Sequence, residues 1–304
     1  MELSVTVLKQ IILMFVYMTT GFLLYKKKLV TKQGSKELGM VLLYVILPVV
    51  IVKAYLIPFS AKLLKGLVLS FLASLLSLLL SMLLSGIVFR RKYPIEQFSS
   101  VFSNAGFIGI PLVEMTFHDS MATFYISSFV ALLNILQWTY GIVVMTGKKD
   151  SIALKKIIEN PIVISFLLGI ILFFLPLELP TVLSSAVNSI ASMNAPVAMI
   201  ILGTYLAQMK FRELFTDKTV YLCAFMRLIV IPLATAVILM LLPGNEMLKM
   251  SVLIVAATPV GSNVAIFAQM ENMDYTQAVK DICLSTILCI VTIPLIVTAA
   301  GKLL

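Results

Sequence analysis

Ser103-Asn104-Ala105-Gly106-Phe107-Ile108-Gly109-Ile110-Pro111 and Thr258-Pro259-Val260-Gly261-Ser262-Asn263 interrupt two apolar runs near their middles. Each is rich in Gly, Pro and amide or hydroxyl residues that break a helix, yet each lies at the depth where a spanning helix should be intact. Irregular backbone cannot face lipid, because its N–H and C=O groups would go unpaired there. It is tolerated only inside protein or along a cavity, so the two breaks mark where a site should be.

Outward from these breaks the chain divides into ten apolar segments, at roughly 5–25, 38–59, 63–89, 98–117, 121–146, 157–175, 181–208, 220–242, 247–270 and 278–300. The composition agrees: of 304 residues 61% are hydrophobic and 12% charged, mean hydropathy is +1.08, and a soluble domain carries about 25% charged residues. An ordinary soluble enzyme is excluded. The first segment ends in Lys26-Lys27-Lys28 without a small-residue cleavage site, so it reads as a spanning helix rather than a removed signal. Cys223, Cys283 and Cys289 fall within apolar runs without CxxC spacing, which indicates neither a disulfide framework nor a zinc site.

The two halves share their punctuation. Gly21 and Gly169 are 148 residues apart, as are Pro48 and Pro196, and Gly109 and Gly261 are 152 apart. With five helices per half, the second copy must insert upside down. The expected fold is therefore an all-α polytopic membrane protein of ten transmembrane helices in two inverted five-helix repeats, residues 1–146 and 157–304, joined by a short cytoplasmic connection at 147–156. Inverted repeats with broken helices meeting near the midplane are the pattern of secondary transporters.

The formal charge of +9 could suggest a nucleic-acid partner, but its placement explains it as topology. Sixteen Lys and Arg fall on the odd-to-even connections: Lys26, Lys27, Lys28, Lys32, Lys36, Arg90, Arg91, Lys92, Lys148, Lys149, Lys155, Lys156, Lys210, Arg212, Lys218 and Lys280. Six lie toward the other side, and Arg227 lies within a helix. By the positive-inside rule the sixteen are cytoplasmic and both termini are extracytoplasmic, in the cell membrane.

Pro111 suits the first turn of a restarted half-helix, and Ser262 or Asn263 can cap the other. The two half-helices would aim their positive ends at one midplane region, favouring a small carboxylate by about 1 kcal/mol each. Asn104 and Asn263 can donate to that carboxylate or coordinate a cation through their carbonyls, or they only cap the broken helices. Glu114, a turn past Pro111, is a candidate proton or sodium ligand or a carboxylate paired with a helix dipole. Arg227 attracts the substrate, neutralises a carboxylate or snorkels to the cytoplasmic interface. Asn134, Gln137 and Gln269 would complete a polar cavity or bond between helices.

The runs Asn104 to Leu112 and Asn194-Ala195-Pro196-Val197-Ala198-Met199-Ile200-Ile201-Leu202-Gly203, with Thr258-Pro259 and Ser262-Asn263, resemble the auxin efflux carrier family, which includes plant PIN carriers and bacterial malate- or malonate-type permeases. The resemblance spans essentially the whole chain. It implies a scaffold domain from helices 1, 2, 6 and 7 and a transport domain from helices 3–5 and 8–10, with helices 4 and 9 crossing in the latter, a layout shared with bile-acid symporters. It further implies substrate at that crossing, moved in an elevator manner, with Asn104, Pro111, Pro259 and Asn263 as the binding positions carried over; Gly109 and Ser262 in the same breaks are expected to join them, and Asn194 is a further candidate for substrate or coupling. The long cytoplasmic loop of plant members is reduced here to 147–156, which separates this chain from regulation through that loop and from auxin as an assured substrate.

The expected function is secondary transport of small organic anions, auxin-like or malate- or malonate-like, with sodium- or proton-coupled symport or a non-transporting sensor of the same fold as alternatives. HExxH, GxSG, GxGD and P-loop patterns are absent from the sequence, so no enzyme is expected. A channel of aquaporin type would need two Asn-Pro-Ala repeats, and Asn194-Ala195-Pro196 has another order. No cofactor is expected beyond H+ or Na+ as coupling ion. The expected partners are a small organic anion, the lipid bilayer and a second copy through the scaffold domain, with no nucleic acid.

Overall fold

The computed structural model describes all residues except 1, 91, 153, 176, 178, 209–216 and 302. Arg91, Lys210, Arg212 and Lys302 of the charge pattern therefore lie outside the described residues. The described chain is helical: α1 (Glu2–Lys26), α2 (Lys32–Tyr55), α3 (Ala61–Phe89), α4a (Pro94–Val101), α4b (Ala105–Phe117) and α5 (Ser120–Thr146). There follow α6 (Pro161–Phe173), α7 (Thr181–Ala207) and α8 (Lys218–Leu241), α9a (Glu246–Ala256), α9b (Asn263–Met270) and α10 (Tyr275–Ala300). Among the described residues seven helices are long and apolar enough to cross a membrane, and α4b and α6 are shorter apolar helices. The chain is a multi-pass membrane protein.

Several helices begin at a side-chain cap, in which Thr31, Ser60, Asp119, Asn160, Asp217, Asn245 and Asp274 each accept a backbone N–H that the first turn leaves unpaired. These caps correct the expected edges. The second helix starts at Lys32 rather than near 38 and ends at Tyr55 rather than 59, because Ile57 precedes Pro58 and residues before proline avoid the helical region. The sixth starts at Pro161, capped by Asn160, and the apolar residues before it form a separate short turn, Leu154–Ile158.

Three helices carry a π-turn at a fixed distance from a proline. Leu42–Ile46 precedes Pro48, Ala105–Gly109 precedes Pro111 and Met226–Val230 precedes Pro232. In each the proline is four residues past the centre of the wide turn. Proline offers no N–H to the carbonyl four residues back and its ring crowds that carbonyl, so the turn opens to the i→i+5 form. Pro111 accordingly lies in the second turn of α4b and not at its first position, which corrects the expected placement.

α1 runs along α7 with backbone touching backbone: a Cβ on Gly21 would strike the Ile200 carbonyl, and one on Gly203 the Met18 carbonyl. α2 runs along α6, where Gly169 receives the ring of Tyr55. A second group of contacts gathers α3, α4a, α5, α8, α9a and α10. Its α3 presents Ser70, Ser74, Ser77, Ser81 and Ser85 inward, all buried, small residues that let helices approach closely. The opposite face of α3 exposes Leu83 and Ile87, and α10 exposes Val291 and Leu295, as surfaces that meet lipid do.

Candidate functional site

Between α4a and α4b, and between α9a and α9b, the chain leaves the helix and the two breaks cross as a minimal antiparallel bridge, Ser103 opposite Val260. The Asn104 N–H donates to the Pro259 carbonyl at 2.7 Å and the Gly261 N–H to the Phe102 carbonyl at 2.9 Å. The Val260 N–H donates to Ser285 Oγ of α10 at 3.0 Å. Backbone groups that lipid could not satisfy are thus paired across the crossing. Gly261 is required by the approach: a Cβ there would sit 3.0 Å from the Ser103 carbonyl oxygen and 3.2 Å from that of Phe102. Gly109 has a different place, within α4b against the Val255 side chain, so the 152-residue spacing does not pair equivalent positions.

Arg227 accounts for the other ends of the broken helices. Its side chain is 1% exposed and donates to the carbonyls of Ser100 (3.1 Å) and Val101 (2.9 Å) at the end of α4a and to Ala256 at the end of α9a. A cation on two helix C-termini meets two negative dipole ends and several unpaired carbonyls at once. Its hydrogen-bond acceptors among the described residues are backbone carbonyls, neither an anion nor a carboxylate, and its burial excludes snorkelling. Its place is that of a clamp on the crossing, a role absent from the three sequence readings.

The restarted helices face a small cavity of ≈ 30 Å³ lined by, among others, Leu47 of α2, Asn104, Asn134 and Gln137 of α5, Ser262 and Asn263. That is room for about two water molecules. Asn104 is the N-cap of α4b, its Oδ1 accepting the Phe107 N–H at 3.3 Å, while its buried Nδ2 has no partner. Ser262 stands at the N-cap position of α9b but forms no side-chain cap, and Asn263 instead donates to Gln137 Oε1 at 3.0 Å. The expected Ser262 or Asn263 cap is therefore not formed, because the Asn263 amide turns across to α5. Asn134 donates to the Val130 carbonyl and accepts from Asn160 Nδ2 at 3.2 Å. Asn160, which caps α6 and orients Asn134, was not a sequence candidate, although Asn before Pro at a helix start is its signal.

Other candidates lie elsewhere. Pro259 contributes its carbonyl to the bridge, and Pro111 is buried in α4b. Glu114 sits farther along α4b, accepting from Thr123 Oγ1 at 3.3 Å, with Lys53 of α2 and Asn194 of α7 near enough to act on its carboxylate. Gln269 is exposed at the end of α9b. Among the described residues no group of three His, Cys, Asp or Glu has the spacing to hold a metal.

The site is thus a crossing of two broken helices, clamped by one arginine, with four side-chain amides around a small cavity. The family model described as "Membrane transport protein" matches residues 6–156 and 150–297. No curated protein matches the chain.

Proposed function

The chain belongs to the membrane transport protein family, the auxin efflux carrier-like group, and from that premise we propose that it is a secondary transporter of small organic anions. In this reading α1, α2, α6 and α7 are a scaffold, α3–α5 and α8–α10 a transport domain, and the anion binds at the crossing and moves with that domain in an elevator manner. The observation that carries it is the Asn104 amide: 4% exposed, at the wall of the cavity and with a donor left unpaired. A buried donor without an acceptor is costly unless a ligand supplies one. Gln137 and Asn263 beside it, and the positive ends of α4b and α9b, favour that ligand being anionic.

The position of the cavity supports the domain division. Its walls come from α2 and α6 on one side and from α4b, α5 and α9b on the other, so relative movement of the two bodies would open it. At its present volume it does not hold a dicarboxylate, and the bodies must part for one to enter. An inverted repeat of ten helices is supported by matched packing: α1 lies along α7 as α6 lies along α2, and Gly21 and Gly169 each take the close approach of the partner helix. Both termini outside the cytoplasm and a homodimer through the scaffold belong to the same proposal.

Uptake of labelled malate, malonate and indole-3-acetate into liposomes holding the purified protein tests it. Saturable entry with counterflow of one of these anions, weakened in Asn104→Ala and Asn263→Ala, is the expected result. Binding without movement would establish the sensor instead, and unaltered saturable transport in both variants would remove the crossing from the site.

A further inference from the structure

Outside the cavity lining, α4a, α8 and α10 enclose a second polar group that the transport reading does not use. Asp281 of α10 is 1% exposed and both of its carboxylate oxygens lack a hydrogen-bond partner. Glu96 of α4a, 5% exposed, faces it, and Ser99 and Cys223 lie close enough to act on it. The hydroxyl of Ser99 is buried and itself unpartnered. Among the described residues the ion pair found is Lys155 with Glu159, so neither buried acid has a cationic side chain within 4 Å. Arg227, a turn past Cys223, gives its two terminal nitrogens to the carbonyls of Ser100, Val101 and Ala256, and its buried Nε has no hydrogen-bond partner.

Two carboxylates enclosed in a membrane protein without a countercharge are not both ionised. Their surroundings separate their roles. Glu96 sits in the first turn of α4a, where the helix dipole favours negative charge, and accepts from Gln277 Nε2 at 2.9 Å. Asp281 has neither aid. Of the two acids, the fully enclosed Asp281 is the one placed to hold a proton.

Polar side chains also connect the pair to the start of α8. Gln277 Nε2 reaches Thr219 Oγ1 at 3.1 Å, and Thr219 donates to Asp217 Oδ1 at 2.9 Å in the connection before α8. Polar groups thus run from the helix ends to the buried pair. The same segment leads onward: Ser99 lies at the pair, α4a ends at Val101, and Ser103, four residues on in the extended break, lines the cavity.

We propose that Glu96 and Asp281 form a proton-binding site and that the proton it takes up moves with the anion, one per turnover. The coupling rests on the transporter reading; the site itself does not. The charged and titratable groups facing Asp281 are Glu96 from α4a and Asp217 and Cys223 from α8 and its cap. α9b carries none, and the interaction between α1 and α10 of this kind is Tyr25 with Tyr275. Carrying the pair across the bilayer with one charge fewer is what makes protonation favour movement.

Two measurements test it. Dicyclohexylcarbodiimide, which reacts with protonated carboxyls in apolar surroundings, is applied to the purified full chain across pH, and modified residues are found by mass spectrometry. Modification of Asp281 that falls as pH rises and is indifferent to sodium is expected. Protection by sodium at constant pH, or no modification of either acid, overturns the proton site. In liposomes clamped at zero membrane potential, an interior-alkaline gradient of one pH unit should accumulate the transported anion about tenfold in the wild type above protein-free liposomes. Asp281→Asn and, as a second variant, Glu96→Gln should lose that response while keeping counterflow. Wild-type counterflow without any pH response, or variants that keep it, overturns the coupling and leaves the transporter standing. Absence of counterflow for malate, malonate and indole-3-acetate alike overturns the coupling together with the transporter reading, and the labelling still decides the site.

Discussion

The break in α4 and the break in α9 solve one backbone problem with different side chains. Each leaves the helix, pairs with the other through Asn104 N–H to Pro259 and Gly261 N–H to Phe102, and hands its preceding C-terminus to Arg227. On restarting they part: α4b is capped by its own Asn104, whereas α9b has no side-chain cap and sends Asn263 to Gln137. What the breaks share is held from outside by a third helix, and what distinguishes them faces the cavity. Stability effects should therefore be common to both breaks and binding effects specific to each.

The largest expected effect is at the shared element. Arg227→Met leaves the carbonyls of Ser100, Val101 and Ala256 buried without their charged donor, a loss on the order of 3 kcal/mol or more. Thermal unfolding of the detergent-solubilised protein should show it as a sharply lowered midpoint or as failure to purify a monodisperse species. Arg227→Lys, a point charge without the planar fork, should recover part of the loss. A wild-type midpoint in Arg227→Met would show that the two breaks hold each other unaided.

Next comes the asymmetry in backbone approach. Gly261→Ala sets a Cβ against two carbonyl oxygens that belong to the opposite break, and backbone yields poorly, so about 1–3 kcal/mol should be lost. Gly109→Ala meets a Val255 methyl at 3.2 Å and gains helix propensity of about 1 kcal/mol, so it should be near neutral. Equal shifts in the two variants would contradict the different places given to these glycines.

The amides then separate cap from ligand. Asn104→Ala removes a cap, about 1 kcal/mol, and the unpaired donor at the cavity; Asn263→Ala removes only its bond to Gln137. Both should raise the KM for the transported anion, by roughly tenfold for one hydrogen bond to a charged group, and only the first should lower the unfolding midpoint appreciably. The reverse order would move the anion away from Asn104.

How much of this was legible in the sequence follows from what each feature depends on. Apolar runs and the two breaks depend on local composition, and the helices stand where those runs are, with edges moved by caps such as Asn160 and Asp217. The π-turns were legible only in part: those before Pro48, Pro111 and Pro232 follow the proline spacing, but Gln137–Gly141 has no proline after it and Pro294 sits within an unbroken α10. The partners of Arg227 were not, because backbone carbonyls at helix ends carry no residue signature. The cavity amides were named without their pairing, as Asn263 and Gln137 are 126 residues apart. Asp281 was overlooked although an acid within an apolar span is itself a signal; its partner Glu96 lay just outside the run read as helix 4.

The smallest effect separates the crossing from the helix that clamps it. Asp217 caps α8, accepting the Thr219 N–H and hydroxyl at 2.9 Å each, and these bonds, with Lys280 adding a smaller part, hold its carboxyl below the ordinary value of 3.8. A folded-state pKa below the unfolded one stabilises the protein above about pH 4, and that stabilisation fades as pH falls through the lowered value. Asp217→Ala should cost about 0.5–1 kcal/mol near neutrality, and its difference from wild type in unfolding midpoint should shrink as the medium is acidified from about pH 6 toward about pH 3. Because Arg227 lies nearly three turns farther along α8, the KM for the anion in counterflow without a pH gradient should stay unchanged. A raised KM in Asp217→Ala would show that the start of α8 sets the position of the guanidinium, and that the two breaks are adjusted from the membrane surface and not only by the clamp between them.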